Sequence, residues 1–126
     1  MKVQFSLNQK IGVEFDAETQ LQMFEQLASL QEVFDQKECG KCKGTDFKFY
    51  IRKVQDGKDE YIYPELHCSN LSCRAKLTFG QMKGGSLFPV RYEREGKEYV
   101  KDAEGKGVKR GNNGWVKYNR ETGKEE

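Results

Sequence analysis

Apolar residues are scarce in this sequence, 36% of 126 positions, and no unbroken apolar run approaches the roughly 20 residues that a membrane-crossing helix needs. A membrane protein of that kind is not expected. Met1-Lys2-Val3-Gln4-Phe5 opens directly into alternating residues rather than into a basic and then apolar leader, so the cytoplasm is the expected compartment. Histidine is reduced to one residue, His67, with no nucleophile placed around it, no acidic cluster apart from a helical stretch, and no phosphate-cradling loop ahead of a helix. No catalytic constellation is legible, and a non-enzymatic role is expected. The chain has no internal repeat. An apolar fraction this small gives a thin core, and domains of this size commonly add a staple, either disulfides or a metal.

The four cysteines decide which. They are arranged Cys39-Gly40-Lys41-Cys42 and Cys68-Ser69-Asn70-Leu71-Ser72-Cys73, with 25 residues between the pairs. In a reducing cytoplasm thiols stay free, which favours a metal over two disulfides. A C-x2-C turn lets two sulfurs converge on one ion while backbone N–H groups point at them, and four soft thiolates suit Zn2+ in a tetrahedron. Cys39, Cys42, Cys68 and Cys73 are therefore the expected ligands of a structural zinc ion. The insert between the pairs suits two antiparallel strands leaving one turn and returning to the other, the layout of a zinc ribbon. His67 adjoins Cys68, but four thiolates already fill such a site, so a surface place is expected for it.

Charge divides the chain. Residues 1–38 carry three lysines against seven acids, net −4, while residues 39–126 carry 19 Lys and Arg against 13 acids, net +6. That split suggests an acidic partner such as a nucleic acid for the second part and a different job for the first. Three segments are expected: a ββα unit over 1–38, the ribbon over 39–100, and a flexible basic, glycine-rich tail over 101–126 with Gly114-Trp115-Val116-Lys117-Tyr118 as its apolar island.

Val3, Phe5 and Leu7 alternate with polar residues, as do Ile11, Val13 and Phe15, and Asn8-Gln9-Lys10 lies between as a turn. Pairing Leu7 with Ile11, Phe5 with Val13 and Val3 with Phe15 puts all six on one side. Asp16 suits a helix N-cap, and the helix is expected to run to about Gln36 with Met23, Leu27, Leu30 and Phe34 as its apolar stripe, widened by Leu21, Phe24 and Ala28. That stripe either caps the hairpin or leaves a surface for a protein partner or self-association. The overall expectation is α+β: a small antiparallel zinc-ribbon sheet with an N-terminal β-hairpin and one amphipathic helix.

Between the cysteine pairs, Phe47 to Arg52 and Tyr61 to His67 alternate around Gln55-Asp56-Gly57-Lys58-Asp59. Setting Phe47 near Cys68 places Phe49 opposite Leu66 and Ile51 opposite Pro64, beside the metal. The other side then carries Lys48, Tyr50, Arg52, Tyr61 and Tyr63, and a third strand from Arg74 to Phe79 adds Arg74 and Lys76. Unpaired bases stack on tyrosine rings while Lys and Arg neutralise the phosphates between them, so such a face suits single-stranded nucleic acid. Trp115 in the tail is placed to close over a bound strand. The same pattern also serves as ordinary packing if the ββα unit or the tail covers it. Gly80 to Ser86 reads as a flexible loop, Leu87 to Tyr92 as a returning strand, and Glu95-Gly96 as a turn toward Lys97 to Val100.

The two cysteine segments, the second extended to His67-Cys68-Ser69-Asn70-Leu71-Ser72-Cys73, resemble the zinc half-sites of small zinc-finger activators of phage late transcription. They are similar also to the C-terminal zinc ribbons of bacterial type IA topoisomerases, which bind single-stranded DNA. These likenesses cover about residues 39–79; residues 1–38 match neither family. Phe79-Gly80-Gln81-Met82-Lys83-Gly84-Gly85-Ser86-Leu87-Phe88-Pro89, with Gly114-Trp115, resembles small phage or mobile-element proteins that accompany DNA replication and recombination genes. The resemblances imply a zinc protein of a phage or mobile element, in the bacterial host cytoplasm, binding single-stranded DNA rather than RNA. The alternative they leave is an adaptor or transcription regulator that contacts a protein such as RNA polymerase.

Overall fold

The computed structural model describes residues 1–7, 11–96 and 98–126. It is an α+β architecture, mostly antiparallel sheet with one helix and an N-terminal hairpin. The chain forms two compact units, Met1–Lys37 with Gln81–Phe88, and Glu38–Gly80 with Pro89–Glu126. Among the described residues no helix is long and apolar enough to cross a membrane.

In the first unit, β1 (Lys2–Leu7) pairs antiparallel with β2 (Ile11–Asp16) in the register that alternation predicts, Val3↔Phe15, Phe5↔Val13 and Leu7↔Ile11. The expected turn at Asn8-Gln9-Lys10 lies outside the described residues. Helix α1 starts later than expected, at Gln20 rather than after Asp16, and ends at Phe34. Asp16 is still in the ladder opposite Lys2, and the Ala17 N–H donates to the Met1 carbonyl at 2.8 Å. Thr19 caps instead. Its hydroxyl accepts the Gln22 N–H at 3.1 Å while Gln22 Oε1 accepts the Glu18 N–H at 2.8 Å, a reciprocal arrangement of the capping-box kind.

The apolar face of the helix is also rotated from the expected one. Val33 is its buried residue, Met23, Leu27, Leu30 and Phe34 are half-buried, and Leu21 and Phe24 are exposed. At about 100° per residue, Leu21, Phe24 and Ala28 lie about 100–160° around the axis from Met23, too far to widen its stripe. Beyond residue 81 the chain turns through Gly84 and Gly85, both with φ above +90°, where the Met82 N–H donates to the Ser86 carbonyl, and continues as β6 (Leu87–Pro89).

The second unit is built on β3 (Phe47–Asp56) and β4 (Asp59–Cys68), paired Phe47↔Cys68, Phe49↔Leu66 and Ile51↔Pro64 as expected. Of the two loop residues, only Gly57 has positive φ, at 62°, the signature of a tight turn with glycine in first place. β5 (Lys76–Gln81) pairs with the cysteine end of β4, Leu66↔Leu77 and His67↔Lys76. The expected apolar cluster holds only near the cysteines. Leu66 is buried, but Phe49 and Ile51 are 55% and 52% exposed; they lie on β3, the edge strand, with β4 between them and β5.

Residues 101–126 do not form an appended tail. The chain re-enters this unit at Pro89, makes the small hairpin β7 (Arg94–Glu95) and β8 (Glu98–Tyr99), and reaches β9 (Trp115–Val116), which lies along the edge of β5 opposite β4. Lys97, at the turn of that hairpin, is outside the described residues. β10 (Tyr118–Asn119) and β11 (Lys124–Glu125) close the chain as a last hairpin. Trp115 and Val116 are 2% and 0% exposed, and the indole lies 5.5 Å from the Phe47 ring.

Glycine makes this possible. A Cβ on Gly40 would stand 2.7 Å from Trp115 Cδ1, and one on Gly114 would stand 2.6 Å from the Val90 carbonyl oxygen. In the segment read as a loose tail, Gly111 and Gly114 are there for close packing. Trp115→Ala is expected to cost about 3–5 kcal/mol in denaturant unfolding, the range for a large aromatic truncated in a core. A loss under about 1 kcal/mol would show that the indole is not part of the core.

Candidate functional site

Two turns of the same design bring the cysteines together. In the first, the Cys39 N–H donates to the Gly44 carbonyl at 2.8 Å; in the second, the Cys68 N–H donates to the Ala75 carbonyl at 2.9 Å. The residue after the second cysteine of each turn has positive φ, Lys43 at 63° and Arg74 at 55°. Such a conformation costs a residue with a side chain about 1–2 kcal/mol, and it reverses the chain tightly enough to aim backbone N–H groups at sulfur. Lys41 and Gly44 donate to Cys39 Sγ and Cys42 Sγ at 3.3 Å each. Asn70 and Ala75 do the same for Cys68 and Cys73.

The outcome is one cluster. Cys39 and Cys73 sulfurs are 3.8 Å apart, Cys42 and Cys68 sulfurs 3.5 Å, and all four lie within 4.8 Å of one another. A disulfide would need about 2.05 Å, and all four are free thiols. The cluster can hold a metal ion. Cys39, Cys68 and Cys73 are buried and Cys42 is exposed. The Gly44 N–H holds the Cys42 thiol down to about 7, whereas burial pushes Cys68 up to about 12 and raises Cys73. Cys42 is therefore the accessible sulfur that carries charge more readily than Cys68 and Cys73, and those two gain most from ligation, which replaces their protons.

The face of β3 and β4 opposite Phe47 and Leu66 holds Lys48, Tyr50, Arg52, Tyr61 and Tyr63, as their parity predicts. The three tyrosines are 41%, 44% and 38% exposed. Tyr50 stacks on His67 with ring centroids 4.7 Å apart, and the Arg52 guanidinium lies 4.6 Å over the Tyr63 ring. Three other residues expected on this face are placed differently. Arg74 belongs to the cysteine turn rather than to a strand, because β5 starts at Lys76. Lys76 is on the face but engaged, 2.8 Å from Glu125 Oε1 and 3.8 Å from Glu65 Oε2. Trp115 is in the core and can reach no ligand.

Glu65, missed in the sequence, organises the face. Its carboxylate is 3% exposed and accepts from Arg52 Nε at 3.1 Å, with His67 Nε2 at 3.0 Å from the other oxygen. Its parity, shared with Tyr63 and His67 and opposite Tyr50, was the available signal. Glu125 repeats the device at the chain's end, binding Lys76 and, at 2.6 Å, Arg110, whose guanidinium also donates to Thr78 Oγ1.

Comparison with protein-family models, with curated proteins and with solved structures finds no match. The cluster and the face therefore carry the functional argument.

Burial alone would raise the Glu65 pKa, but the bond to His67 and the charges of Lys76 and Arg52 together hold it below the ordinary carboxylate value of 4.5. A depressed pKa contributes stability above that value and loses it as pH falls through the folded-state one. Glu65→Gln is expected to lower stability at pH 7 by about 1–2 kcal/mol, kept modest by solvent at Arg52. Melting both proteins across a pH series should show the difference close as pH falls below 4.5. A difference independent of pH would exclude the charge of Glu65 as its source.

Proposed function

We propose that the chain is a zinc-ribbon protein that binds single-stranded nucleic acid, DNA in particular, through one face of the β3–β4 hairpin. The support for zinc is the donor set and its spacing. Thiolates about 2.3 Å from a tetrahedral zinc ion stand about 3.8 Å from one another. The sulfurs at 3.8 and 3.5 Å are already near that edge length. In this reading the metal supplies shape and no chemistry; four thiolates leave no open position for a substrate.

The observation that carries the binding reading is that Tyr50, Tyr61 and Tyr63 share one accessible side of a hairpin whose register begins at the cysteine cluster. Exposed rings with cations between them suit unpaired bases, whose stacking is worth about 1–3 kcal/mol each. Lys48 remains as the cation of this face that is unpaired among the described residues; Arg52 and Lys76 are held by carboxylates and Trp115 is buried. The preference for DNA, and a place in phage or mobile-element replication or recombination, rest on the resemblance of the second cysteine turn and the Phe79 to Pro89 segment. A second reading, an adaptor for a protein such as RNA polymerase, is favoured by Leu21 and Phe24, 68% and 74% exposed on α1.

Zinc analysis is expected to find one equivalent per chain. Chelation, or Cys68→Ser, is expected to unfold the second unit, since structural zinc contributes roughly 10–16 kcal/mol in small metal-dependent folds. A Cys68→Ser protein that keeps both its metal and its melting curve would contradict the assignment. For binding, zinc-loaded protein is titrated with fluorescent single- and double-stranded oligonucleotides over a range of salt. Single strands should bind better, with affinity falling steeply as salt rises, and Tyr50→Ala with Tyr63→Ala should weaken them at least about tenfold. No binding at micromolar protein would leave the adaptor reading.

A further inference from the structure

Most cations near the aromatic face are matched by carboxylates, but those beside the cysteine turns are not. A cleft of about 360 Å³ opens against the metal centre, lined by Lys41 and Cys42 from the first turn, Asn70, Ser72 and Cys73 from the second, and Lys117 from the segment after β9. A second cleft of about 450 Å³ shares Lys41 and Lys117 and adds Tyr118 and Arg120, with Glu121 and Glu126 on its far wall. All these residues belong to the second unit. Among the described residues neither Lys41 nor Lys117 makes an ion pair, in contrast to Arg52, Lys76 and Arg110.

Two lysines left free at the mouth of a polar concavity leave two explanations: they offset the thiolate charge, or they receive an anion from outside. The first is weakened by the backbone, since every sulfur already accepts an N–H from its own turn. The second is strengthened by Asn70 and Ser72, which add neutral polar groups to the same wall, and by Tyr118, 65% exposed beside it. Two ammoniums and neutral donors at a cavity, with an open ring adjoining, fit a phosphate carrying a base.

Placement links this cleft to the aromatic face. Tyr118 stands opposite Glu125 in the β10–β11 hairpin, so the two side chains share one side, and Glu125 reaches Lys76 on the aromatic face. We propose that the Lys41–Lys117 cleft holds a backbone phosphate of a single-stranded nucleic acid, with the neighbouring base stacked on Tyr118. This rests on the strand-binding reading above and extends the bound strand from the tyrosine face to the metal centre.

The test uses zinc-loaded full-length protein and a fluorescein-labelled oligothymidylate of about 15 nucleotides, long enough to cover both surfaces. Each phosphate contact on a single strand contributes about 0.7 to the slope of log affinity against log salt. Lys41→Gln with Lys117→Gln removes that one phosphate contact and is therefore expected to reduce the slope by about 0.7 and to leave zinc content unchanged. Tyr118→Ala should weaken binding several-fold with the slope intact. Tyr50→Ala with Tyr63→Ala reads the other face separately. If the tyrosine pair weakens binding while the lysine pair and Tyr118→Ala do not, the cleft is overturned and the tyrosine face stands. The reverse result keeps the cleft and removes the tyrosine face. A lysine variant that releases its zinc would assign the ammoniums to the thiolate charge and overturn the proposal, and failure of the wild-type protein to bind overturns both readings.

Discussion

The second unit depends on four sulfurs being drawn to one point by backbone N–H groups. Each cysteine turn commits its second residue pair to a fixed conformation, including a positive φ at Lys43 and at Arg74 that neither side chain favours. That cost is offset only if the sulfurs gain by converging, and an ion between them is the gain their chemistry allows. The consequence spreads along the chain. The register of β3 against β4 begins at Phe47↔Cys68, so the cluster decides which side chains of a 10-residue hairpin face which way. It also anchors the C-terminal segment, because Gly40 of the first turn accepts a bond from the Asn112 amide and leaves space for the Trp115 ring.

Electrostatics on the aromatic face follow from the same scarcity of apolar residues. A third strand covers only the cysteine end of β4, and at its border Glu65 is 3% exposed. A buried carboxylate is tolerable there because His67, Arg52 and Lys76 surround it, and their interaction with it draws the cations inward over the sheet. The face is thus less basic than its residue list suggests. Among the described residues its unpaired cations, Lys48 and the cysteine turn's Lys41, lie toward the cysteine end, and the rings run away from them along the hairpin.

Much of this was legible in the residues, and the failures have physical causes. Both long hairpins follow strict alternation, and a one-residue slip would put Val3, Phe5 and Leu7, or Phe47 and Leu66, on the wrong side, so their registers could be read. The cysteine cluster was legible from spacing. The helix start was not, because Asp16 and Thr19 are both competent caps; the ladder claims Asp16, and only the Thr19–Gln22 pair discriminates. Arg74 was lost by extending a strand into a cysteine turn. The C-terminal segment was misjudged because glycine has two uses: Gly114 read as part of a flexible tail, yet it sits where a Cβ would collide with the Val90 backbone. Glu65 was missed because two of its three partners, Arg52 and Lys76, come from β3 and β5, and pairing across strands is invisible in a linear reading.

The distal half of the β3–β4 hairpin raises a last question of balance. Among the described residues β5 pairs only with Glu65, Leu66 and His67 of β4, so Arg52, Tyr61 and Tyr63 stand on a two-stranded ribbon. Such a ribbon is marginal in water unless side chains reinforce it. Arg52 over Tyr63, and Tyr50 against His67, are that reinforcement. These contacts are each worth about 0.5–1.5 kcal/mol, less than the roughly 1–3 kcal/mol of a stacked base. In the proposed complex a base therefore displaces a guanidinium from a ring with net gain. Among the described residues Tyr61 has no such cover, which on the proposed reading makes it the ring a strand engages first. The contacts that keep the free ribbon together are weak enough to be exchanged, and the cysteine end, which is not exchanged, keeps the rings aligned while that happens.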